Sequence, residues 1–179
     1  MSEFINNTFN AIISDLKDQK RAFQIFEEHH YLEIKSAFDE AITNKNKELL
    51  RKVLCLCEFS SNFHKIFEEI FISGIEEETN SEFKILYLGI VLNQIIPHYQ
   101  RNGEKLPKTF LDELVKLIND ENLEVIEWSL RVIESTSRQS FAIKEEIIKA
   151  RPGLFRRFSK HGKNINELIN LIESYWPKL

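Results

Sequence analysis

The stretch Lys116–Glu134, KLINDENLEVIEWSLRVIE, holds two apolar-periodic runs split by NDEN. The question it poses is whether these runs belong to a bundle built once or to one unit of a repeating stack. Taking Val125 as the origin at about 100° per residue, Leu123, Ile126, Trp128, Ser129, Leu130, Val132 and Ile133 fill an arc of roughly 220°. Glu124, Glu127, Arg131 and Glu134 are left on a narrow polar stripe. A bundle helix with one solvated side shows an apolar stripe nearer 100–140°. So wide a face predicts contact with a hairpin partner and with neighbours on both sides, which a stack of helical hairpins provides.

The same helical spacing runs through most of the chain. Phe9, Ile12, Ile13 and Leu16 mark a first helix, continued through Phe23 and Phe26. Leu32, Ile34, Ala37, Phe38 and Ala41 mark a second, Leu49 to Cys57 a third, and Phe63 to Phe71 a fourth that ends at Gly74, a residue suited to a left-handed C-terminal cap. A fifth runs from Phe83 to Ile96 and stops at Pro97. Pro107 opens a sixth, where its missing N–H costs nothing. Leu123–Glu134 and the segment through Phe141, Ile143, Ile147 and Ile148 are the next two. After Pro152 comes a short FRRF turn, and Ile165, Leu168, Ile169 and Ile172 mark the last helix. No segment reads as a strand, so the expected class is all-α with about nine to ten helices.

LDELVKLINDENLEVIEWSLRVIE resembles a HEAT repeat: an apolar first helix, Asp120 in the turn, then Val125, Ser129 and Ile133 at the family's spacing. The family often has Arg directly after the Val; here that position is Ile126, so the ladder that Arg supports is missing. Asn44 with Leu49, Val53 and Cys57 repeats the spacing, as does Glu78 with Phe83, Tyr87 and Val91, in steps of 34 and 42 residues; a further 42 reaches Gly162. The resemblance implies a right-handed stack of antiparallel helical hairpins in one domain, residues 1–179. About four hairpins would span 30–177, with residues 1–29 as an N-terminal cap. It carries over no catalytic activity.

Composition narrows the function classes. With 179 residues, 42% hydrophobic, 29% charged and 14 Phe, the chain can bury a core of its own. A net charge of −4 offers no global attraction for nucleic acid or a membrane surface. The longest apolar run, Ile85–Ile96, falls short of the ~18 residues needed to cross a bilayer. Cys55 and Cys57 lie in VLCLC, roughly 200° apart on a helix, too far around it to share a metal or a disulfide, and read as buried thiols of a reducing cytoplasm. The N-terminus lacks the basic start and cleavage site of a secretory signal, so the expected location is cytoplasmic.

The catalytic inventory is thin. The five glycines are scattered singly, without a phosphate-cradling loop. Glu27 and His30 stand at the i, i+3 spacing of carboxylate-bridged metal sites, with Glu33 nearby, but no second Glu-x-x-His exists, so the pair reads as a polar helix junction. No enzyme activity, cofactor or metal is expected.

Charge distribution is the more informative feature. Ile147–Lys163 carries Lys149, Arg151, Arg156, Arg157, Lys160 and Lys163 without an acid, with His161 among them. Ile66–Phe83 carries Glu68, Glu69, Glu76, Glu77, Glu78 and Glu82 without a base. Either both runs are solvated loops with Phe155 and Phe158 packed inward, or the basic run grips an acidic partner through forked arginine donors with those phenylalanines as anchors. Head-to-tail self-association of the two ends is a third reading. Trp128 beside Arg131, and Trp176, are each read as rim packing or as partner anchors. The expected function is a non-catalytic protein-interaction scaffold that binds a protein with an acidic surface through Arg151, Arg156, Arg157, Lys160, His161, Lys163, Trp128 and Arg131. The rival is a nucleic-acid or phosphate binder that uses the same basic unit.

Overall fold

The structure, a computed structural model, describes residues 3–76, 78–154 and 156–177. It is all-helical over those residues, as expected, and the only β-type pairing is an isolated bridge between Gln24 and Ser60. In chain order the helices are α1 (Glu3–Lys17), α2 (Glu28–Thr43), α3 (Lys47–Glu58), α4 (Ile66–Ile75), α5 (Ser81–Ile90), α6 (Ile96–Arg101), α7 (Lys108–Leu117), α8 (Leu123–Ser135), α9 (Lys144–Lys149) and α10 (Lys160–Ser174). A π turn, Val91–Ile95, joins α5 to α6 in one rod, which leaves nine helices among the described residues. Short 3-10 turns cover Ser137–Ile143 and Arg156–Phe158.

Four helices start on a side chain that accepts a backbone N–H left open at the helix end. Asn46 accepts from Leu49 at 3.1 Å, Asn80 from Glu82 at 2.9 Å, Asn122 from Glu124 at 2.8 Å, and Ser159 from Gly162 at 3.0 Å. Two of these caps are held from behind by an acid two residues earlier. Glu78 Oε1 accepts from the Asn80 N–H at 2.7 Å and Asp120 Oδ1 from the Asn122 N–H at 2.8 Å. The Glu78 and Asp120 registers therefore share one local motif. The extrapolated fourth register does not: Gly162 lies inside α10, whose cap is Ser159.

The capped helices pack side by side. α3 lies against α1 and α5, α5 against α8, and α8 against α10, while α2, α4 and α7 pack against one another in sequence and each against the capped helix that follows it. The core between them includes Ile34, Val53, Leu54, Phe67, Phe71, Leu88, Leu114, Val125, Leu130, Ile133 and Ile169, all buried.

Several polar links between helices span similar chain separations. Lys84 Nζ sits 2.6 Å from Asp120, 36 residues away; Asn93 Nδ2 donates to Glu58 at 3.1 Å across 35, and Gln100 Nε2 to the Ser135 carbonyl at 2.7 Å, also across 35. Trp176 Nε1 donates to Ser140 Oγ at 3.0 Å across 36. An aromatic ladder follows the same step. His30, His64 and His98, each 34 residues after the last, stack on Phe4 (4.2 Å), Tyr31 (4.2 Å) and Phe63 (3.8 Å).

Several local expectations are corrected. α1 ends at Lys17, and Phe23 and Phe26 lie in an extended segment whose Gln24 N–H donates to the Phe59 carbonyl at 2.8 Å while its carbonyl accepts from Ser61 at 2.7 Å. Leu32 is exposed rather than part of the packed face of α2.

Gly74 does not end α4 in a left-handed conformation. It is a buried helical residue, and a Cβ there would stand 2.1 Å from the Tyr87 hydroxyl, so it is glycine because α5 approaches that closely.

Pro97 does not stop the fifth helix. The π turn just before it shifts the hydrogen-bond register, and a proline at the start of the next stretch then forfeits no helical bond. Gln94 in that turn is buried and donates to the Glu58 and Ser60 carbonyls at 2.9 and 2.7 Å, which ties the irregular turn to the end of α3.

Candidate functional site

The predicted site residues lie where α10 crosses α8. α8 carries the buried Val125, Ser129 and Ile133 on one side, and Ser129 Oγ returns to the Val125 carbonyl at 2.7 Å. Glu127, expected on the solvated stripe, is instead buried, because α10 covers it. It is the hub of the junction. One carboxylate oxygen accepts from the Arg131 guanidinium and from Asn164 Nδ2 at 2.9 Å; the other lies 2.7 Å from His161 Nδ1. Burial alone would raise this carboxyl, but the hydrogen bonds from Arg131, His161 and Asn164, with the charge of Arg131, outweigh it and hold Glu127 below its ordinary range.

Trp128 is half-buried, with the Arg131 guanidinium carbon 5.9 Å from its ring centroid. The structure therefore brings Arg131 and His161 onto a carboxylate that the site prediction did not include, with Trp128 beside the Arg131 guanidinium. The signal that could have found Glu127 is its place four residues before Arg131 on one helix, a favourable ion-pair spacing.

The basic segment divides in two. Arg151 is taken up inside the chain, donating to Glu173 at 2.8 Å and to Asn170 at 2.9 Å. Arg156, Arg157, Lys160 and Lys163 are exposed, and none makes an ion pair with a described residue; Arg157 Nε reaches only the Pro152 carbonyl at 3.3 Å. The backbone here is tightly seated: a Cβ at Gly162 would fall 1.9 Å from the Arg156 carbonyl oxygen, so the 3-10 turn presses against the first turn of α10. On that turn Phe158 is 76% exposed, and Leu154 just before it 74%, which removes the reading in which Phe158 packs inward. Phe155 lies outside the described residues.

The acidic segment is partly consumed by internal bonds. Glu82 pairs with Arg51 at 2.7 Å, Glu68 accepts from the Tyr99 hydroxyl at 3.0 Å, and Glu78 holds the α5 cap. Glu77 lies outside the described residues. Trp176 is a packing residue, its N–H on Ser140 and its ring edge-on to Phe141 at 6.0 Å.

The remaining candidates take structural roles. His30 Nδ1 accepts the Glu27 N–H at 3.1 Å at the start of α2, which explains that pair as a helix cap. Cys55 and Cys57 are buried, and burial pushes the Cys55 thiol up to about 12 and Cys57 higher still, so neither supplies a thiolate at neutral pH. No group of three or more metal-ligating side chains occurs among the described residues, and none of their helices is long and apolar enough to cross a membrane. No protein-family model, curated protein or solved structure matches the chain.

Proposed function

We propose that the chain is a non-catalytic protein-interaction module of HEAT-like architecture, a right-handed stack of helical hairpins that docks an acidic partner protein at its C-terminal end. The stack reading is supported by the row α1, α3, α5, α8, α10, by the row α2, α4, α7, and by polar links that each span about 35 residues. Each unit in such a row buries its faces against two neighbours, and the last unit has one neighbour only.

The observation that carries the docking reading is the knob formed by residue 154 with residues 156–163. Two large apolar side chains, Leu154 and Phe158, stand in solvent among Arg156, Arg157, Lys160 and Lys163, cations without a described ion-pair partner. Apolar anchors ringed by forked donors suit a carboxylate-rich protein surface. Arg131 and Trp128 extend the same face through the α8–α10 junction, where His161 is held by Glu127.

The test is a quantitative pull-down from native lysate with the wild-type chain, Arg156→Glu/Arg157→Glu and Phe158→Ser, each first checked for helicity. A protein retained by wild type and lost by both variants supports the reading. Equal retention by all three, or none by any, overturns it. A salt-sensitive shift of random DNA that the arginine variant abolishes would transfer the site to nucleic acid.

A further inference from the structure

A broad concavity lies away from that knob, between the 102–107 loop and the Ser137–Ile143 turn. It encloses about 860 Å³ and opens to solvent. It lies where the Ser137–Ile143 3-10 turn follows α8, beside the loop that leads into α7. The apolar side chains Leu106, Leu111 and Phe141 are left as a floor, and Lys105, Lys108 and Arg138 stand at the rim. All three rim cations are exposed, and none forms an ion pair with a described residue. A fourth cation, Lys144, lies over the Phe141 ring at 4.7 Å from its centroid. Glu104 is the one acid among the described residues that line the groove.

The groove is held open in advance. Gln139 clamps the loop to the turn by two hydrogen bonds to one residue, its Oε1 accepting the Leu106 N–H at 3.0 Å and its Nε2 donating to the Leu106 carbonyl at 2.6 Å. Ser137, at the tip of the turn, is held in a left-handed conformation with φ of 54°, which a non-glycine residue adopts only when its surroundings impose it. The Trp176 contact with Ser140 braces the turn from the other side.

We infer that this groove is a second docking site and that its occupant is an extended acidic peptide segment carrying large apolar side chains. Charge complementarity sets the choice: the rim cations want carboxylates, and the apolar floor wants hydrocarbon, a combination that a polyphosphate backbone does not offer. The inference rests on the reading of the chain as an interaction module but uses none of the residues of the knob.

The test is selection of a displayed random dodecapeptide library on the immobilised full chain. The enriched peptides are then titrated by fluorescence anisotropy against wild type, Lys105→Glu/Arg138→Glu, Phe141→Ala and Arg156→Glu/Arg157→Glu, all confirmed folded by circular dichroism. The expected result is enrichment of Asp or Glu together with Leu or Phe, binding at least tenfold weaker to the groove charge reversal, weaker to Phe141→Ala, and unchanged for the knob variant. Failure to enrich any sequence overturns the inference, as does enrichment no more acidic than the starting library or binding indifferent to the groove variants. Binding lost only in the knob variant overturns the groove while leaving the proposed function standing. A single-stranded oligonucleotide that binds where no peptide does, and is released by the groove reversal, overturns it in favour of nucleic acid.

Discussion

Glu127 on α8 and His161 on α10 are 34 residues apart in the chain and 2.7 Å apart in space, and the carboxylate between them is buried. With Arg131 and Asn164 on its other oxygen, this carboxylate is the polar rivet of the last helix pair. Removing it as Glu127→Ala takes the shared acceptor from three donors at once; Arg131 and His161 reach solvent, so the loss is the net value of hydrogen bonds to a charged group, with water replacing part of it. The expected loss is about 2–3 kcal/mol in urea unfolding, against about 1 kcal/mol for Asn164→Ala, which leaves the carboxylate two of its donors.

The same residue sets an acid limit. Glu127 is held below its ordinary range in the folded chain, so its contribution is complete above the unfolded carboxyl value near 4.5 and is lost as the pH falls through the lower folded value. Glu127→Gln removes that contribution at neutral pH and flattens the acid side of the stability curve. Thermal midpoints from pH 3 to pH 6 check this; a variant with the wild-type acid slope would contradict it.

Glu58 behaves in the opposite sense. Burial at the end of α3 pushes it up to about 7, only partly countered by the hydrogen bond from Asn93. A raised folded value means that the folded chain favours the protonated form. Stability from this group is therefore fully present below about 4.5 and declines as the pH rises toward 7, after which the whole penalty is in place. The packing keeps the carboxyl there, since a Cβ at Gly89 would stand 2.7 Å from Glu58 Cδ. Glu58→Gln is expected to raise the thermal midpoint at pH 8 and to leave it nearly unchanged at pH 4, with a gain of about 2 kcal/mol at the higher pH.

How much of this was legible follows from the kind of signal each residue sends. Val125, Ser129 and Ile133 announce a wide buried face because apolar periodicity is a local property, and all three are buried as that face requires. The Glu78 and Asp120 registers were visible as spacing, and both turn out to hold an asparagine cap. Glu127 was assigned to the stripe because nothing in α8 itself says that a helix some 35 residues onward will lie across it. Gly74 and Pro97 were read as punctuation for the same reason: the approach of Tyr87 and the register shift at the π turn are set by neighbours in space. The 34-residue step of His30, His64 and His98 is present in the sequence, but a histidine carries no apolar signal until its stacking partner is known. The basic segment was visible as charge, but composition cannot tell Arg151, which is paired internally, from Arg156, which is not.

Tyr87 tests what its hydroxyl contributes. That oxygen is buried against Gly74 with no hydrogen-bond partner among the described residues. Removing it as Tyr87→Phe forfeits no bond and relieves the desolvation of an unpaired polar group, so stability should hold or rise by up to about 1 kcal/mol. Gly74→Ala instead drives a methyl into the ring and is expected to cost about 1–3 kcal/mol by overpacking. Paired urea titrations distinguish the two; a loss in Tyr87→Phe would mean that the hydroxyl is bonded after all.

The histidine ladder separates a stack from a closed core. Phe4 with His30 and Phe63 with His98 are stacked pairs that share no residue, with the Tyr31–His64 pair lying between them in the series. Each aromatic contact is worth about 0.5–1.5 kcal/mol beyond its buried area, and substitutions that share no partner add. In a stack whose units touch only their neighbours, His30→Ala and His98→Ala should therefore sum in the double variant to within about 0.5 kcal/mol. Phe63→Leu and His98→Ala break the same contact, and their double variant should fall short of the sum by about the value of one stack. Unfolding free energies for these two double-mutant cycles decide the matter. Strong coupling between the distant pair would require contacts that bypass the intervening unit, and that would remove the stack reading together with the terminal docking site built on it.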